Sequence, residues 1–568
     1  TLSPVCKAPQ SAMLASTSRR LSQDSCRERQ IRRIKSSHNR SGQPLLQHMD
    51  ARESLIQGND STRGTDRLFA GSGGAGSNIC VAVSAPDGST GTAMIDGQSG
   101  AFSYTASKGH KRRRRCACFK VRSSEIQVAA EDIVGAQNEA ADSFRVWFCP
   151  VRNPNAKKVV RRLRKSDSYQ CRSATEASAL VEALRARSST VSAGRTRNFH
   201  VFLNPVSGPG KARQEYERAV RPVLDAAGGT HQLHVTRAAG HGTELAASLD
   251  LAHCDALLFL GGDGTVHEAL QGLLNRPDWR EAAAVPIALL PAGSGNALAA
   301  NTGMWDMPTA LHAVIQGQKA PMDIFSVLQP GHPRRFAFLS ITFGLIANLD
   351  IGTEHLRFLG GFRFTLGALH QILWQRTHQL RVAYLPAEDA AAPASSVEAS
   401  SPSSGSLRGS VDGGAASPPS GAGTPGPAAP LLDDLPQDTT SWSEGSLPKG
   451  WKQLEDETVQ LFAACNLPYL DLTYNVAPRA GLHSGCLDIV NTHGKSSRIQ
   501  GLEFMVKSER GDHLDLPLVR YTKARALVLE PVSNRTWLVV DGEVAPFTRL
   551  AAQVHPGLCT VLLAPSMR

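Results

Sequence analysis

The chemistry of this chain is most concentrated in one turn, Leu260-Gly261-Gly262-Asp263-Gly264-Thr265. Apolar Ala256-Leu257-Leu258-Phe259-Leu260 precedes it, with the length and residue types of a buried strand, most naturally a parallel one. After it, residues 266–274 carry apolar side chains at helical spacing. A strand, a glycine-rich turn and a helix bring backbone N–H groups to a helix N-terminus, and that geometry suits a phosphate. An acid facing a phosphate is unfavourable unless it binds a metal or takes a proton. Asp263 therefore marks a site of phosphoryl transfer and not only a phosphate cradle.

Two further loops repeat the pattern. Asn204-Pro205-Val206-Ser207-Gly208-Pro209-Gly210-Lys211 follows a strand-like run at 199–203. Its glycines admit a phosphate and Lys211 can neutralise charge, although the spacing is not that of the common P-loop. Ala292-Gly293-Ser294-Gly295-Asn296 follows a similar run at 286–290. One such loop alone is more often a plain turn. Three at strand C-termini in a single unit point to a nucleotide.

These loops need a scaffold. Between 198 and 320, strand patterns at 199–203, 233–236, 256–260 and 286–290 alternate with helical ones at 216–224, 243–251 and 266–274. The alternation predicts an α/β nucleotide-binding domain with a parallel sheet. β-prone runs at 336–343, 380–384, 459–464, 470–474, 485–490, 524–529 and 537–540, with a helical stretch in 353–376, predict a C-terminal antiparallel β-sandwich domain over 321–386 and 451–565. Residues 387–450, rich in Ala, Pro, Ser and Gly, read as a disordered insertion. In front, 78–190 holds β-prone runs at 79–83, 91–95, 101–105, 116–121 and 144–148. A helical stripe at 179–184 follows, behind a capping box at Ser173 and Glu176. This order predicts an N-terminal pleckstrin-homology-like barrel. Residues 1–75 are basic and Ser-rich, which fits disorder first and an organelle transit peptide second.

The net charge of +11 is concentrated early, in Lys111-Arg112-Arg113-Arg114-Arg115 and Arg161-Arg162-Leu163-Arg164-Lys165. Such runs suit acidic lipid heads, nucleotides or nucleic acid, or form a solvated face. The 11 cysteines have no zinc-ribbon spacing and fit reduced thiols inside a cell. No apolar run reaches the ~20 residues that cross a bilayer, so membrane contact is expected to be peripheral.

Longer motifs narrow the reading. Arg276-Pro277-Asp278-Trp279, Leu290-Pro291-Ala292-Gly293-Ser294-Gly295-Asn296-Ala297-Leu298, Phe343-Gly344-Leu345-Ile346-Ala347-Asn348-Leu349-Asp350, Arg363-Phe364-Thr365-Leu366-Gly367, Val540-Asp541-Gly542-Glu543 and Gln553-Val554-His555-Pro556 stand beside the opening turn. Together they resemble the diacylglycerol kinase catalytic superfamily and, within it, the sphingosine kinases, over 198–386 and 451–565. The resemblance implies transfer of the γ-phosphate of ATP to the primary hydroxyl of a sphingoid base: sphingosine, sphinganine or phytosphingosine. It makes Asp263 the general base. It places Asn204, Pro205, Val206, Lys211, Thr236, Gly262, Gly264, Thr265, Glu268, Gly293, Ser294 and Gly295 around the nucleotide. Arg357 and Arg363 would reach the phosphates, and Asp541, Gly542 and Glu543 would close the site from the second domain. Asp350 would pair with the ammonium of the lipid. Apart from the resemblance, apolar residues in 343–374, among them Phe343, Ile346, Leu356, Phe358, Phe362 and Leu366, could line an acyl pocket, and ordinary core packing explains any one of them as well.

Mg²⁺ is expected mainly through the nucleotide phosphates. The chain departs from the family pattern at Asn348, where a second acid is frequent, and at His483-Ser484-Gly485. A ceramide or diacylglycerol kinase is the nearest alternative. A non-catalytic lipid-binding scaffold is another, of a different class. Nucleic acid is not expected as a partner. The expected location is cytoplasmic, with peripheral contact to an anionic membrane surface.

Overall fold

The computed structural model describes residues 78–107, 112–113, 122–123, 125–153, 159–187, 191–192, 195–293, 295–352, 377–387, 449–455, 457–532 and 536–565, all within one compact unit, Gly71–Arg568. The expected transit or disordered segment, the run at 116–121, the helical stretch at 353–376 and nearly all of the insertion lie outside these residues.

The front region contributes strands β1 (Ile79–Ser84), β2 (Thr90–Ile95), β3 (Phe102–Ala106), β4 (Glu125–Val128), β5 (Ile133–Ala140), β6 (Ser143–Phe148) and β7 (Lys165–Gln170), followed by helix α1 (Ala174–Arg187). They form one antiparallel sheet in the order β4-β3-β2-β1-β7-β6-β5. Ala177, Leu180, Val181 and Leu184 recur at helical spacing on α1 and close the core over Phe102, Phe144 and Tyr169. The sheet is not a free module. Val134, Trp147 and Cys149 pack into the apolar core of the next region, and Arg162 N donates to Thr309 Oγ1 at 3.0 Å.

That next region holds β8 (Asn198–Leu203), β9 (Thr230–Val235), α2 (His241–Ala247), β10 (Cys254–Gly261), α3 (Asp263–Leu274), β11 (Ile287–Pro291), α4 (Ala297–Asn301) and α5 (Met307–Gln316). The strands are parallel in the order β9-β8-β10-β11. β8 and β10 are covered on both faces, which is why their sequences run apolar without alternation. Two differences from expectation are local. The helix expected over 216–224 is a longer segment in which a π-turn, Tyr216–Val220, joins Ala212–Glu215 to Arg221–Ala226. Helix α3 begins at Asp263 itself and not at 266, so the acid is the first helical residue.

The C-terminal strands are β12 (Gln318–Leu328), β13 (Arg335–Ala337), β14 (Ser340–Gly344), β15 (His378–Pro386), β16 (Leu461–Cys465), β17 (Leu487–Thr492), β18 (Val519–Pro531), β19 (Leu538–Val540), β20 (Glu543–Val544) and β21 (Leu550–Leu563). Two helices accompany them, α6 (Leu345–Gly352) and α7 (Arg498–Ser508). The antiparallel order β21-β18-β17-β16-β14-β19-β20 wraps a core that includes Phe325, Phe343, Phe462 and Leu527. β21 is the hinge piece of the architecture. It pairs antiparallel with β12 and β18, and parallel with β11 through Ile287 and Val561, so the two halves share strands.

Residues 470–474, expected as a strand, form a loop closed by a single bridge between Tyr469 and Asn475. The strand expected over 336–343 is broken into β13 and β14. The break turns the N–H groups of Phe338 and Leu339, with that of Ser340, onto the carboxylate of Asp541.

Candidate active site

Strand β10 ends at Gly261, and the chain turns directly into α3. The turn delivers Asp263 to the start of α4. There Oδ2 accepts from Ala297 N at 2.7 Å and Oδ1 from Leu298 N at 3.0 Å. The side chain is buried, with the residue 8% exposed. Burial raises its pKa to about 7 against the opposing pull of the two N–H groups, and the charges of Asp471 and Asp541 push it further up. A carboxylate has about four acceptor positions, and two are used here. Asp263 therefore keeps free lone pairs and sits near the pKa at which a general base works best at neutral pH.

The three glycine loops meet around this acid, main chain on main chain. Gly208 has φ of +56°, and a Cβ there would stand 2.5 Å from Ala292 O. A Cβ on Gly262 would lie 2.7 Å from Gly295 O, and one on Gly293 would lie 2.6 Å from Gly262 Cα. Gly293 N donates to Gly261 O at 2.7 Å and Asp263 N to Gly295 O at 3.2 Å, so the second and third loops are bonded to each other. Bare, mutually braced backbone of this kind is what a phosphate cradle requires. Glu268, one turn along α3, accepts from Gly240 N at 2.9 Å and Gly242 N at 3.0 Å and so fixes the loop after β9.

A cavity of about 660 Å³ runs from these loops to the C-terminal half. Asn204, Pro205, Val206, Thr236, Gly262, Asp263, Gly264, Thr265, Glu268 and Gly295 form its polar end. Leu339, Leu345, Ile346, Leu349, Leu470, Tyr474 and Met505 give it a largely apolar wall, and Ser340, Asp541, Gly542 and Glu543 also line it. The expected placing of Ile346 fits this wall. That of Phe343 does not. Strand alternation in β14 sends Ser340 and Thr342 to the cavity and Phe343 to the sandwich core, where it meets Phe547 and His378. Lys211 is exposed at the start of the Ala212–Glu215 helix, and neither it nor Gly293 lines the cavity. Asp350 lies on α6, the helix that supplies Leu345, Ile346 and Leu349. Ser294, Arg357 and Arg363 fall outside the described residues.

Asp541 lines the cavity while both of its carboxylate oxygens are engaged by the protein. Oδ1 accepts from Leu339 N and Ser340 N at 2.9 and 3.0 Å. Oδ2 accepts from Phe338 N at 2.9 Å and pairs with His267 Nδ1 at 3.0 Å. These contacts hold the turn at Phe338, Leu339 and Ser340 beside the cavity. Among the described residues, no three His, Cys, Asp or Glu side chains gather as a metal site.

Residues 198–327 match the diacylglycerol kinase catalytic domain, and 452–563 match the YegS C-terminal NAD kinase beta sandwich-like domain. Sphingosine kinase 1 of Homo sapiens is 31% identical over 370 residues, covering 63% of this chain and 88% of that protein. Sphingosine kinase 2 of Homo sapiens is 30% identical over 463 residues, covering 64% and 71%. The chain belongs to the sphingosine kinase family. Sphingoid long chain base kinase 4 of Schizosaccharomyces pombe is 28% identical over 375 residues, covering 65% of this chain and 75% of that one. Among solved structures, a putative diacylglycerol kinase from Bacillus anthracis str. Sterne is 17% identical, covers 66% of this chain and 98% of that chain, and has a TM-score of 0.44.

The kinase also uses residues that its sequence did not single out. Asp263, His267 and Gln271 fall at four-residue intervals and so share one stripe of α3. His267 holds Asp541, and Gln271 exchanges hydrogen bonds with both the N–H and the carbonyl of Phe336, at 3.0 and 2.6 Å. On α4, Asn301 makes the same two-way exchange with Tyr469, at 2.8 and 3.0 Å. Both helices that position Asp263 are thus bolted to the C-terminal half. The four-residue spacing was the available signal; the partners lie far along the chain and left no local trace.

Proposed function

We propose that this lipid kinase transfers the γ-phosphate of ATP to the primary hydroxyl of a sphingoid base. The observation that carries the reading is Asp263: a buried acid with pKa about 7, clamped by two backbone N–H groups, where the glycine loops meet an apolar wall. In the reaction Asp263 takes the hydroxyl proton, the hydroxyl oxygen bonds to the γ-phosphorus, and the bond to the bridging oxygen breaks with its electron pair leaving on ADP. The glycine loops hold the phosphates, and their lack of side chains supports that role. Mg²⁺ would be held mainly by the nucleotide phosphates and would supply charge neutralisation there. Asp350, on the helix that forms the apolar wall, pairs with the acceptor's ammonium, a group that ceramide and diacylglycerol lack. The front sheet is read as a pleckstrin-homology-like barrel, and the kinase as a cytoplasmic protein that visits membranes.

An acceptor panel tests this reading. Purified protein with ATP and Mg²⁺ is given sphingosine, sphinganine, phytosphingosine, ceramide and diacylglycerol, each in mixed micelles. The amine lipids should be phosphorylated at the primary hydroxyl and the uncharged lipids poorly or not at all. Turnover confined to ceramide or diacylglycerol would refute the sphingoid assignment, and no turnover of any lipid would refute catalysis.

A further inference from the structure

Helix α7 (Arg498–Ser508) carries apolar residues on the wrong side for a water-soluble surface. Ile499 is 79% exposed, Leu502 49% and Val506 60%. Their spacing of three and four residues places all three on one ridge. Phe504 and Ser508, on the opposite face, are buried and hold the helix to the sandwich. The helix is also rigidly set, because Ser497 and Gln500 form a reciprocal capping box. An isolated exposed leucine needs no explanation, but three aliphatic side chains on a capped, docked helix do.

The third side of the same helix shows what the ridge serves. Met505 and Glu509 line the cavity that contains Asp263. One helix thus forms both the outer ridge and a wall of the acceptor cavity. Nearby charge is mixed: Lys507 is paired with Glu503 at 2.9 Å, and Lys495, Arg498 and Arg510 are exposed beside Glu509, Asp512 and Asp515. The attraction is therefore apolar and not chiefly electrostatic.

We propose that the ridge of Ile499, Leu502 and Val506 inserts into the lipid surface that presents the acceptor, placing the cavity mouth at the bilayer. This rests on the acceptor being a bilayer lipid. Apolar side chains from a helix lying in the interface plane suffice for reversible binding, and the acceptor then moves along α7 into the cavity without crossing water.

The test compares the full-length protein with the variant Ile499→Ser, Leu502→Ser, Val506→Ser, and with Leu502→Ser alone. Each is sedimented with phosphatidylcholine vesicles, with and without phosphatidylserine, at low and high salt. Loss of the three side chains should weaken partitioning by about tenfold or more on both vesicle types, with the single change intermediate. KM for vesicle-borne acceptor should rise in parallel, while kcat on a short-chain acceptor free in solution stays unchanged. Unchanged partitioning of the triple variant overturns the proposal. So does wild-type binding that needs phosphatidylserine and disappears in salt, or a change in molecular mass showing that the ridge joins two copies. If no lipid is phosphorylated the functional reading fails, but the sedimentation result still decides the ridge.

Discussion

Two buried aspartates in this kinase differ in what their oxygens are asked to do. Asp263 accepts from two backbone N–H groups and keeps room for a proton. Asp541 accepts from three backbone N–H groups and pairs with His267 as well. It does so with φ of 52°, a left-handed conformation in which Asp and Asn are tolerated better than most side chains. The first keeps acceptor positions open, as a base requires, and the second has both oxygens held by the protein. Asp541→Asn keeps the size and the backbone preference, but it turns one oxygen into an NH₂ facing buried N–H donors. Unfolding free energy should fall by roughly 3 kcal/mol, read as a lower denaturant midpoint or Tm. His267→Ala removes one donor and leaves the other three, so its cost should be smaller.

At the scale of elements, the site is a contact between turns. Gly293 and Gly264 are both loop glycines, yet the fold uses them differently. A Cβ on Gly293 meets main chain at 2.6 Å, which cannot yield without separating two loops. A Cβ on Gly264 meets only the Glu543 carboxylate, at 3.4 Å. Gly293→Ala should lower kcat/KM by roughly 100-fold or more, and Gly264→Ala by less than about tenfold, in the same steady-state assay. The turns themselves were readable from sequence, because glycine, acid and threonine after an apolar run have few other uses. The parallel sheet was readable too, from uninterrupted runs such as Leu257-Leu258-Phe259-Leu260. Less readable was anything set by distant pairing. The split between β13 and β14 exists because Asp541, some 200 residues away in sequence, takes the N–H groups of Phe338 to Ser340. Phe343 looked like pocket lining because an aromatic residue beside an acid motif fits either face of a strand. Only the register with Phe462 and Leu538 decides which face it takes.

At the scale of the molecule, the acid belongs to one half and its environment to both. The glycine loops come from the parallel sheet, while Asp471, Asp541 and most of the apolar wall come from the C-terminal half. Shared strand β21, the stripe of His267 and Gln271 on α3, and Asn301 on α4 hold the halves together. The raised pKa of Asp263 is then a property of the assembled cleft, because burial is its largest cause and the acids of the second half add to it. A base must be deprotonated to act, so activity should fall as pH drops through that pKa. The most direct measurement is kcat/KM for a sphingoid base against pH, with wild type and Asp263→Asn side by side. Wild type should show a one-proton acid limb centred at about 7, with the variant lacking measurable turnover while its Tm stays close to that of wild type. Turnover that survives in Asp263→Asn with the same acid limb would contradict the account, because the proton would then be going somewhere else.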